Sequence, residues 1–301
     1  MLSTPKRWHL QLVMLVSVLT GSTALIFGRL AQQQDIPTFY LVAFRLAFSS
    51  LVFAPLVFMR YGEQMRHLSR RALIFGGLGG LWMALHFNAV FVSIEFTSIL
   101  VGNVLIGTAP LWVALAEAYL LKVSLNKWIW AGLFCTLIGS VVVALSADSG
   151  FNLGENPLVG VALALAGALA AALYTLFGRQ ARGQMAFIPY LWLIYTFGAV
   201  FSLLLVIFSG TPLVGYSPAG YTYLALLTLI PQLIGHSTYN YALRHLPATY
   251  VSIFGQLGLV LGAVLAFLVF HEIPGALQIP GSAAILIGIT LVNLGQGRSP
   301  N

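Results

Sequence analysis

Charged residues are scarce in this sequence. Only 7% of its 301 residues are Asp, Glu, Lys or Arg, while 59% are hydrophobic, and the mean hydropathy is +0.93. Soluble domains carry about 25% charged residues, so this composition excludes a surface that mostly faces water. A chain dissolved in lipid must satisfy its own backbone hydrogen bonds, either in helices or in a closed barrel.

Enzyme and cofactor motifs are also absent. The one cysteine, Cys135, lies inside an apolar run, so no intramolecular disulfide can form. No Gly-x-x-x-x-Gly-Lys phosphate loop occurs, which argues against ATP as the driving force within this chain. No Cys/His cluster has metal spacing, and no Ser-His-Asp order stands out at one depth. We therefore expect no cofactor, no metal and no enzymatic activity.

What the sequence does contain is a series of apolar runs of about 20 residues, the length at which a helix crosses a ~30 Å hydrocarbon layer. Such runs favour helices over the short alternating strands of a barrel. The predicted spans, numbered one to ten, are 10–28, 37–58, 72–94, 98–121, 128–146, 157–177, 187–208, 219–241, 248–270 and 276–295.

The basic residues indicate how these spans are oriented. Of the 14 Lys and Arg, the loops after odd-numbered spans contain only Arg29. The N-terminus, the loops after even-numbered spans and the C-terminus contain Lys6, Arg7, Arg60, Arg66, Arg70, Arg71, Lys122, Lys127, Arg179, Arg182, Arg244 and Arg298. The positive-inside rule then predicts a multi-pass protein of the cytoplasmic (inner) membrane with both termini in the cytoplasm. Because these cations form no single stripe, the net charge of +7 does not indicate nucleic-acid binding.

The second half of the chain repeats the first. Residues recur at offsets of 149 to 152 in the pairs Gly28 and Gly178, Ile36 and Ile188, Asn88 and Asn240, Thr97 and Thr249, Gly132 and Gly281, and Gly139 and Gly288. Each half has five spans, an odd number, so the second copy enters the membrane from the opposite face. We predict an all-α membrane protein with ten transmembrane helices in two inverted five-helix repeats, residues 1–147 and residues 148–301. This architecture permits alternating access around a midplane site.

Short motifs occur in a fixed order along both halves. They are Gly21-Ser22 through Gly28-Arg29, Ala43 to Phe48, Asn88 to Ser98 before Pro110, Gly132 with Gly139, Asn240 to Ser252, Glu272, Gly281 and Gly288. With the duplication, they resemble the drug/metabolite transporter superfamily, of the ten-helix EamA type, over nearly the whole chain. The resemblance implies export, or sometimes import, of small metabolites such as amino acids. The sequence departs from that pattern at Leu121-Lys122, where an acidic residue usually closes the fourth span.

Ionisable and polar groups inside spans are candidate site residues, because each charge there costs about 2.5–3.5 kcal/mol. Arg45 lies ~12 Å from the outer end of span two, His86 approaches a similar depth in span three, and Asn103 lies nearer the outer face in span four. We expect them to form an outer polar layer suited to a carboxylate or phosphate. The alternative is that Arg45 ties helix ends together or snorkels outward.

Span four carries a stripe of small and polar residues at helical spacing, which suits a cavity wall. The stripe is Asn103, Gly107, Pro110, Ala114 and Glu117. Glu117 is the candidate for binding a coupled proton. Pairing of Glu117 with Lys122 or Lys127 near the interface is the alternative, and direct pairing with Arg45 is not expected.

The second half offers an inner polar layer, with Thr228, Gln232 and His236 on one face of span eight and Ser252 and Gln256 on one face of span nine. His236 and Gln256 are its candidate cavity residues. Interhelical hydrogen bonding is the alternative role for both. Trp82, Tyr174 and Tyr239 are candidates to pack against an aromatic or apolar substrate, although aromatics at span ends are ordinarily interface anchors. The paired glycines of spans five and ten predict close helix contact within the bundle or in a homodimer.

These patterns predict a secondary active transporter that moves a small organic metabolite through the lipid bilayer by alternating access. Proton coupling is a hypothesis based on Glu117 and the histidines. Two alternatives belong to other classes: a passive channel, which lacks saturable counterflow, and an intramembrane lipid-modifying enzyme, which needs catalytic groups clustered at one depth. Direction, substrate and coupling ion do not follow from the residues alone.

Overall fold

A computed structural model describes residues 6–96, 105–120, 122–145, 156–270 and 276–296. Within these ranges, helices occupy each predicted span. They are Arg7–Gly21 and Ala24–Gln32 in span one, Thr38–Arg66 in two, Arg70–Phe96 in three, Ala109–Leu120 in four, Lys127–Leu145 in five, Pro157–Arg182 in six, Phe187–Phe208 in seven, Pro218–Leu227, Thr228–His236 and Ser237–His245 in eight, Ala248–Gly255 and Leu257–Phe270 in nine, and Gln278–Gln296 in ten.

The helices of spans one, two, three, six and seven are long and apolar enough to cross a membrane, and those of five and ten are shorter apolar helices. Their outward faces carry large apolar side chains such as Leu51, Phe58, Ile138 and Ile207. Exposed side chains of this size suit a lipid-facing surface, because lipid removes the cost that water would impose on them. The prediction of an all-α membrane protein is confirmed.

The helix contacts follow the inverted repeat. The repeat makes span three equivalent to span eight, and span six equivalent to span one. Spans three and six pack extensively against each other, and so do their equivalents, spans eight and one. Spans two and seven exchange with each other and pack together, as do spans five and ten. Asn88 and Asn240, which are equivalent in the repeat, each donate to the carbonyl four residues earlier, both over 2.8 Å. These correspondences support the inverted arrangement of the two halves.

Glycines set the closest helix contact. A Cβ at Gly132 would lie 2.6 Å from the carbonyl oxygen of Gly288, and one at Gly288 would lie 2.7 Å from that of Gly132. A Cβ at Gly139 would lie 2.7 Å from the carbonyl oxygen of Gly281. The predicted role of these glycines in close packing is confirmed, and their partners are one another across spans five and ten.

The bundle has two ends that differ in charge. The end that holds residues 66–70, 122–127, 182–187 and 245–248 is called the basic end. There the Ser69 hydroxyl donates to Gln184 over 3.0 Å. At the opposite end, Thr38 donates to Glu95 over 2.7 Å and Ser217 donates to Gln34 over 3.1 Å. Side chains thus bridge the helices at both ends of the bundle.

Span eight loses regular α-helical geometry in its middle, where Thr228–His236 forms a π-helix. Pro231 has no N–H and so cannot make the usual bond to the preceding turn, which loosens the backbone there. The neighbouring break of span one between Gly21 and Ala24 packs against this segment, and the Ser17 hydroxyl donates to the carbonyl of Gly235 over 2.9 Å. Irregular backbone at membrane depth is tolerated where protein or a cavity surrounds it.

Candidate substrate-binding site

Arg45 lies at the centre of a polar cluster between the two repeats. Its side chain is 1% exposed. Its Nε atom donates to Oε1 of Gln232 over 2.8 Å, and one terminal nitrogen donates to the same oxygen. Within the described residues, no carboxylate pairs with Arg45. A buried guanidinium held by a neutral amide keeps an uncompensated charge, which is costly at membrane depth and makes Arg45 a candidate site residue.

Phe87 and His236 form one wall of this cluster. The guanidinium carbon of Arg45 lies 4.1 Å from the ring centroid of Phe87, which is cation–π geometry. The ring of His236 meets Phe87 edge-on, with centroids 5.0 Å apart. The prediction of separate outer and inner layers is therefore wrong in one respect: Arg45 of the outer layer contacts Gln232 of the inner one.

His86 faces span six. Its Nδ1 atom lies 2.8 Å from the carbonyl oxygen of Gly167, and its ring lies 5.1 Å from that of Phe87. A hydrogen bond to a backbone carbonyl requires the proton on Nδ1, which leaves Nε2 as an acceptor when the ring is neutral. His86 therefore joins the Arg45 cluster through Phe87.

Several buried polar atoms, two of them in this cluster, have no hydrogen-bonding partner in the described part of the chain. They are Nε2 of Gln232, Nδ1 of His236, Nε1 of Trp82 and Trp192, and the hydroxyl of Tyr174. Buried polar atoms are nearly always hydrogen-bonded, so a group of exceptions calls for a physical reason. Polar groups that become satisfied when a ligand binds are such a reason.

The remaining candidate residues are Tyr239, Gln256 and Asn103. Tyr239 packs against both hydrophobic core clusters of the bundle, and its ring lies 6.2 Å from that of His236. Gln256 lies elsewhere, because Ser140 donates to its Oε1 over 3.2 Å and its Nε2 donates to the carbonyl of Gly107 over 3.3 Å. These bonds join spans four, five and nine, the interhelical role that was the alternative. Asn103 lies outside the described residues.

Glu117 is fully buried at the basic end. Its Oε1 accepts from Nη1 of Arg179 over 2.9 Å and from the backbone N–H of Ala248 over 3.0 Å, while Oε2 accepts from the N–H of Thr249 over 2.8 Å. The alternative of pairing with Lys122 or Lys127 is wrong, because the cation comes from span six. The carboxylate also caps the helix Ala248–Gly255, where its charge is favourable.

Arg182 is a residue that sequence reasoning assigned to a loop. It ends the helix of span six, but its side chain is only 6% exposed and turns back into the bundle. Its Nη1 donates to the hydroxyl of Tyr190 over 3.0 Å. A signal existed, since Thr175, Gly178 and Arg182 are spaced to share one helix face.

Two inverted helical repeats that meet around a buried, partly unsatisfied polar cluster define a membrane transporter. The sequence profile of the EamA-like transporter family matches residues 8–145 and again residues 158–294. The chain therefore belongs to the EamA-like transporter family.

Two curated relatives are named as transporters, and a solved structure shares the fold. The uncharacterized transporter sll1319 of Synechocystis sp. is 27% identical over 235 residues, which cover 77% of this chain and 70% of that protein. The uncharacterized transporter YyaM of Bacillus subtilis is 22% identical over 250 residues, which cover 82% of this chain and 81% of that protein. A solved protein crystal structure shares the fold with a TM-score of 0.82 at 19% identity, covering 98% of this chain and all of that one.

Proposed function

We propose that this chain is a secondary active transporter that moves a small organic carboxylate, such as an amino acid, across the cytoplasmic membrane. The observation that carries the proposal is the buried guanidinium of Arg45, whose hydrogen-bonding partner among the described residues is the neutral amide of Gln232. A substrate carboxylate would supply the missing negative charge, and a guanidinium matches a carboxylate in a two-point hydrogen bond.

The walls around Arg45 favour a substrate with an apolar or aromatic body. Phe87 and Tyr195 contribute ring surface, and the Tyr195 hydroxyl lies 3.2 Å from Oγ of Ser237. Binding sites for small molecules are mostly apolar with a few placed polar groups, and this composition fits that pattern. Trp82, Tyr174 and Tyr239 supply further aromatic surface in the proposal.

Alternating access follows from the inverted repeats, which can rock against each other around a fixed site. Glu117 of the first repeat binds Arg179, Ala248 and Thr249 of the second, so opening the basic end requires these contacts to separate. Export is the direction that the family resemblance favours, and proton coupling through Glu117 is part of the proposal. His86, Asn103 and His236 complete the proposed cavity residues.

Reconstituted vesicles test this function. The purified chain is assayed with labelled amino acids and other small carboxylates, each beside its neutral amide, with and without a pH gradient. We expect saturable uptake of at least one carboxylate, no uptake of its amide, and faster uptake when unlabelled substrate is present on the other side. Flux without saturation or trans-stimulation would indicate a channel, and absence of carboxylate transport would contradict the proposal.

A further inference from the structure

The side chain of Arg182 reaches toward the membrane interior. Its Nη2 lies 3.4 Å from the carbonyl oxygen of Thr175, seven residues earlier on the same helix. Seven residues are about two helical turns, so the guanidinium lies well inside the basic end of the bundle. Arg179, one turn earlier on the helix, instead has a side chain that is 45% exposed and paired with Glu117. The two neighbouring arginines therefore occupy different environments.

The partners of Arg182 are neutral. Nη1 donates to the Tyr190 hydroxyl over 3.0 Å and to Oδ1 of Asn240 over 3.4 Å, and the Tyr190 hydroxyl itself donates to Asn240 over 3.0 Å. The Nε atom of Arg182 is buried and has no partner in the described residues. The charge is thus uncompensated, the same condition that distinguishes Arg45.

A second unsatisfied donor lies beside Arg182. Tyr174 is 3% exposed, its hydroxyl has no partner in the described ranges, and it directly precedes Thr175, whose carbonyl oxygen accepts from Nη2 of Arg182 over 3.4 Å. A guanidinium N–H and a tyrosine O–H are both donors that a carboxylate accepts. Together they provide a charged donor and a neutral one for a single anionic group.

Span seven connects this pair with the Arg45 cluster. Tyr190 contacts Arg182, and the Tyr195 hydroxyl lies 3.2 Å from Oγ of Ser237, the residue that follows His236 of the Arg45 cluster. The two tyrosines are five residues apart on one helix, or about 7.5 Å along its axis. An anion released from one arginine therefore meets tyrosine hydroxyls before it reaches the other.

We propose that Arg182 and Tyr174 form a second carboxylate-binding position, on the basic-end side of the Arg45 position. This inference rests on the proposed function, because it assigns the same substrate class a second position on the transport route. Beyond it, toward the basic end, lies a pocket of about 450 Å³ lined by Arg71, Arg179, Gln180, Gly183 and Gln184. Its two arginines attract anions to this end of the bundle.

Binding of labelled phenylacetate to the detergent-solubilised full chain tests the proposal. Phenylacetate combines a carboxylate with an aromatic ring, and phenylacetamide is the matched neutral competitor. The decisive comparison is between the single variant Arg45→Gln and the double variant that combines Arg45→Gln with Arg182→Gln. We expect Arg45→Gln to retain one saturable site per chain, and the double variant to retain none. Arg70→Gln, which removes an exposed cation, leaves binding unchanged.

A further variant, Tyr174→Phe, tests the position at Arg182 without a change in the fold. The Tyr174 hydroxyl has no hydrogen bond to another described residue, so Tyr174→Phe leaves the fold intact. In the Arg45→Gln background it weakens phenylacetate binding about tenfold.

The other possible binding results support or overturn the carboxylate positions at Arg182 and at Arg45. Loss of all saturable binding in Arg45→Gln, or its persistence in the double variant, overturns the position at Arg182. Wild-type binding in Arg45→Gln with none in Arg182→Gln supports Arg182 and overturns the placement of the substrate at Arg45. Failure of the wild type to bind overturns both positions for aromatic carboxylates.

Discussion

Glu117 and Arg179 form an ion pair between the two repeats, with 2.9 Å between Oε1 and Nη1. Glu117 is fully buried, and it also accepts the first backbone N–H groups of the helix Ala248–Gly255. One carboxylate of the first repeat therefore holds spans six and nine of the second repeat together at the basic end. Opening of this end separates Glu117 from all three donors.

Replacing Glu117 by Gln weakens closure of the basic end. The amide has one acceptor oxygen, so at least one of the three donors loses its partner, at about 1–3 kcal/mol. A shift of that size in the closing equilibrium corresponds to roughly 5–150-fold. We expect a cysteine at Thr175, in a Cys135→Ser background, to react with a maleimide faster by a factor in this range.

Glu63→Gln is the matched control, because it removes the same charge from an exposed position of span two at the same end. We expect it to leave the labelling rate of the cysteine unchanged. Equal rates in Glu117→Gln and the control would mean that the ion pair does not hold the basic end closed.

Glu117 is also the proposed carrier of a coupled proton. If it binds that proton, Glu117→Gln abolishes the acceleration of uptake by an imposed pH gradient, while exchange of labelled for unlabelled substrate continues. The physical reason is that exchange requires no net proton movement. The measurement compares both fluxes in the same vesicles, and a variant that still responds to the gradient would assign the proton elsewhere.

Arg45→Gln removes the cation proposed to bind the substrate carboxylate. Hydrogen bonds to charged groups contribute about 1.5–3 kcal/mol, so the KM of a carboxylate rises roughly 10–150-fold or transport is lost. Arg45→Lys keeps the charge but not the planar fork, and we expect an intermediate KM. Arg60→Gln, on an exposed face of the same helix, retains the wild-type KM. Wild-type flux in Arg45→Gln would make Arg45 an architectural residue.

The sequence predicted the spans and the glycine contacts well, because both depend on patterns within one helix. An apolar run of sufficient length can only cross the bilayer, and repeated glycines favour close approach wherever two helices meet. The paired contact of Gly132 with Gly288 was not specified, since spacing along a helix does not identify the partner.

Contacts between distant spans were less predictable. Glu117 pairs with Arg179, 62 residues away, rather than with a nearby lysine, because the packing of spans four and six brings them together. Arg182 was counted among loop cations, since helix ends are uncertain by a few residues. Its long side chain turns into the bundle. Counting the charges in each loop gives no information about the direction of a side chain.

Alanine at Gly132 or Gly288 destabilises the bundle. The added Cβ would lie within 2.7 Å of the facing carbonyl oxygen in each case. Overpacking of this kind costs about 1–3 kcal/mol. Gly62→Ala is the control, because no atom lies within 4 Å of its added Cβ and alanine favours a helix by up to about 1 kcal/mol. Thermal unfolding in detergent measures the difference, and equal melting temperatures would refute close packing of spans five and ten.

The predicted topology places the basic end in the cytoplasm. Gln33, beside the opposite end, and His67, at the basic end, both have exposed side chains. We introduce a single cysteine at each position in a Cys135→Ser background and label intact cells with a membrane-impermeant maleimide. The excess of Lys and Arg retains the basic end on the cytoplasmic side during insertion. The cysteine at position 33 therefore reacts in intact cells, whereas the one at 67 reacts only after permeabilisation. The reverse pattern would place both termini outside and would make the Arg182 position face the exterior.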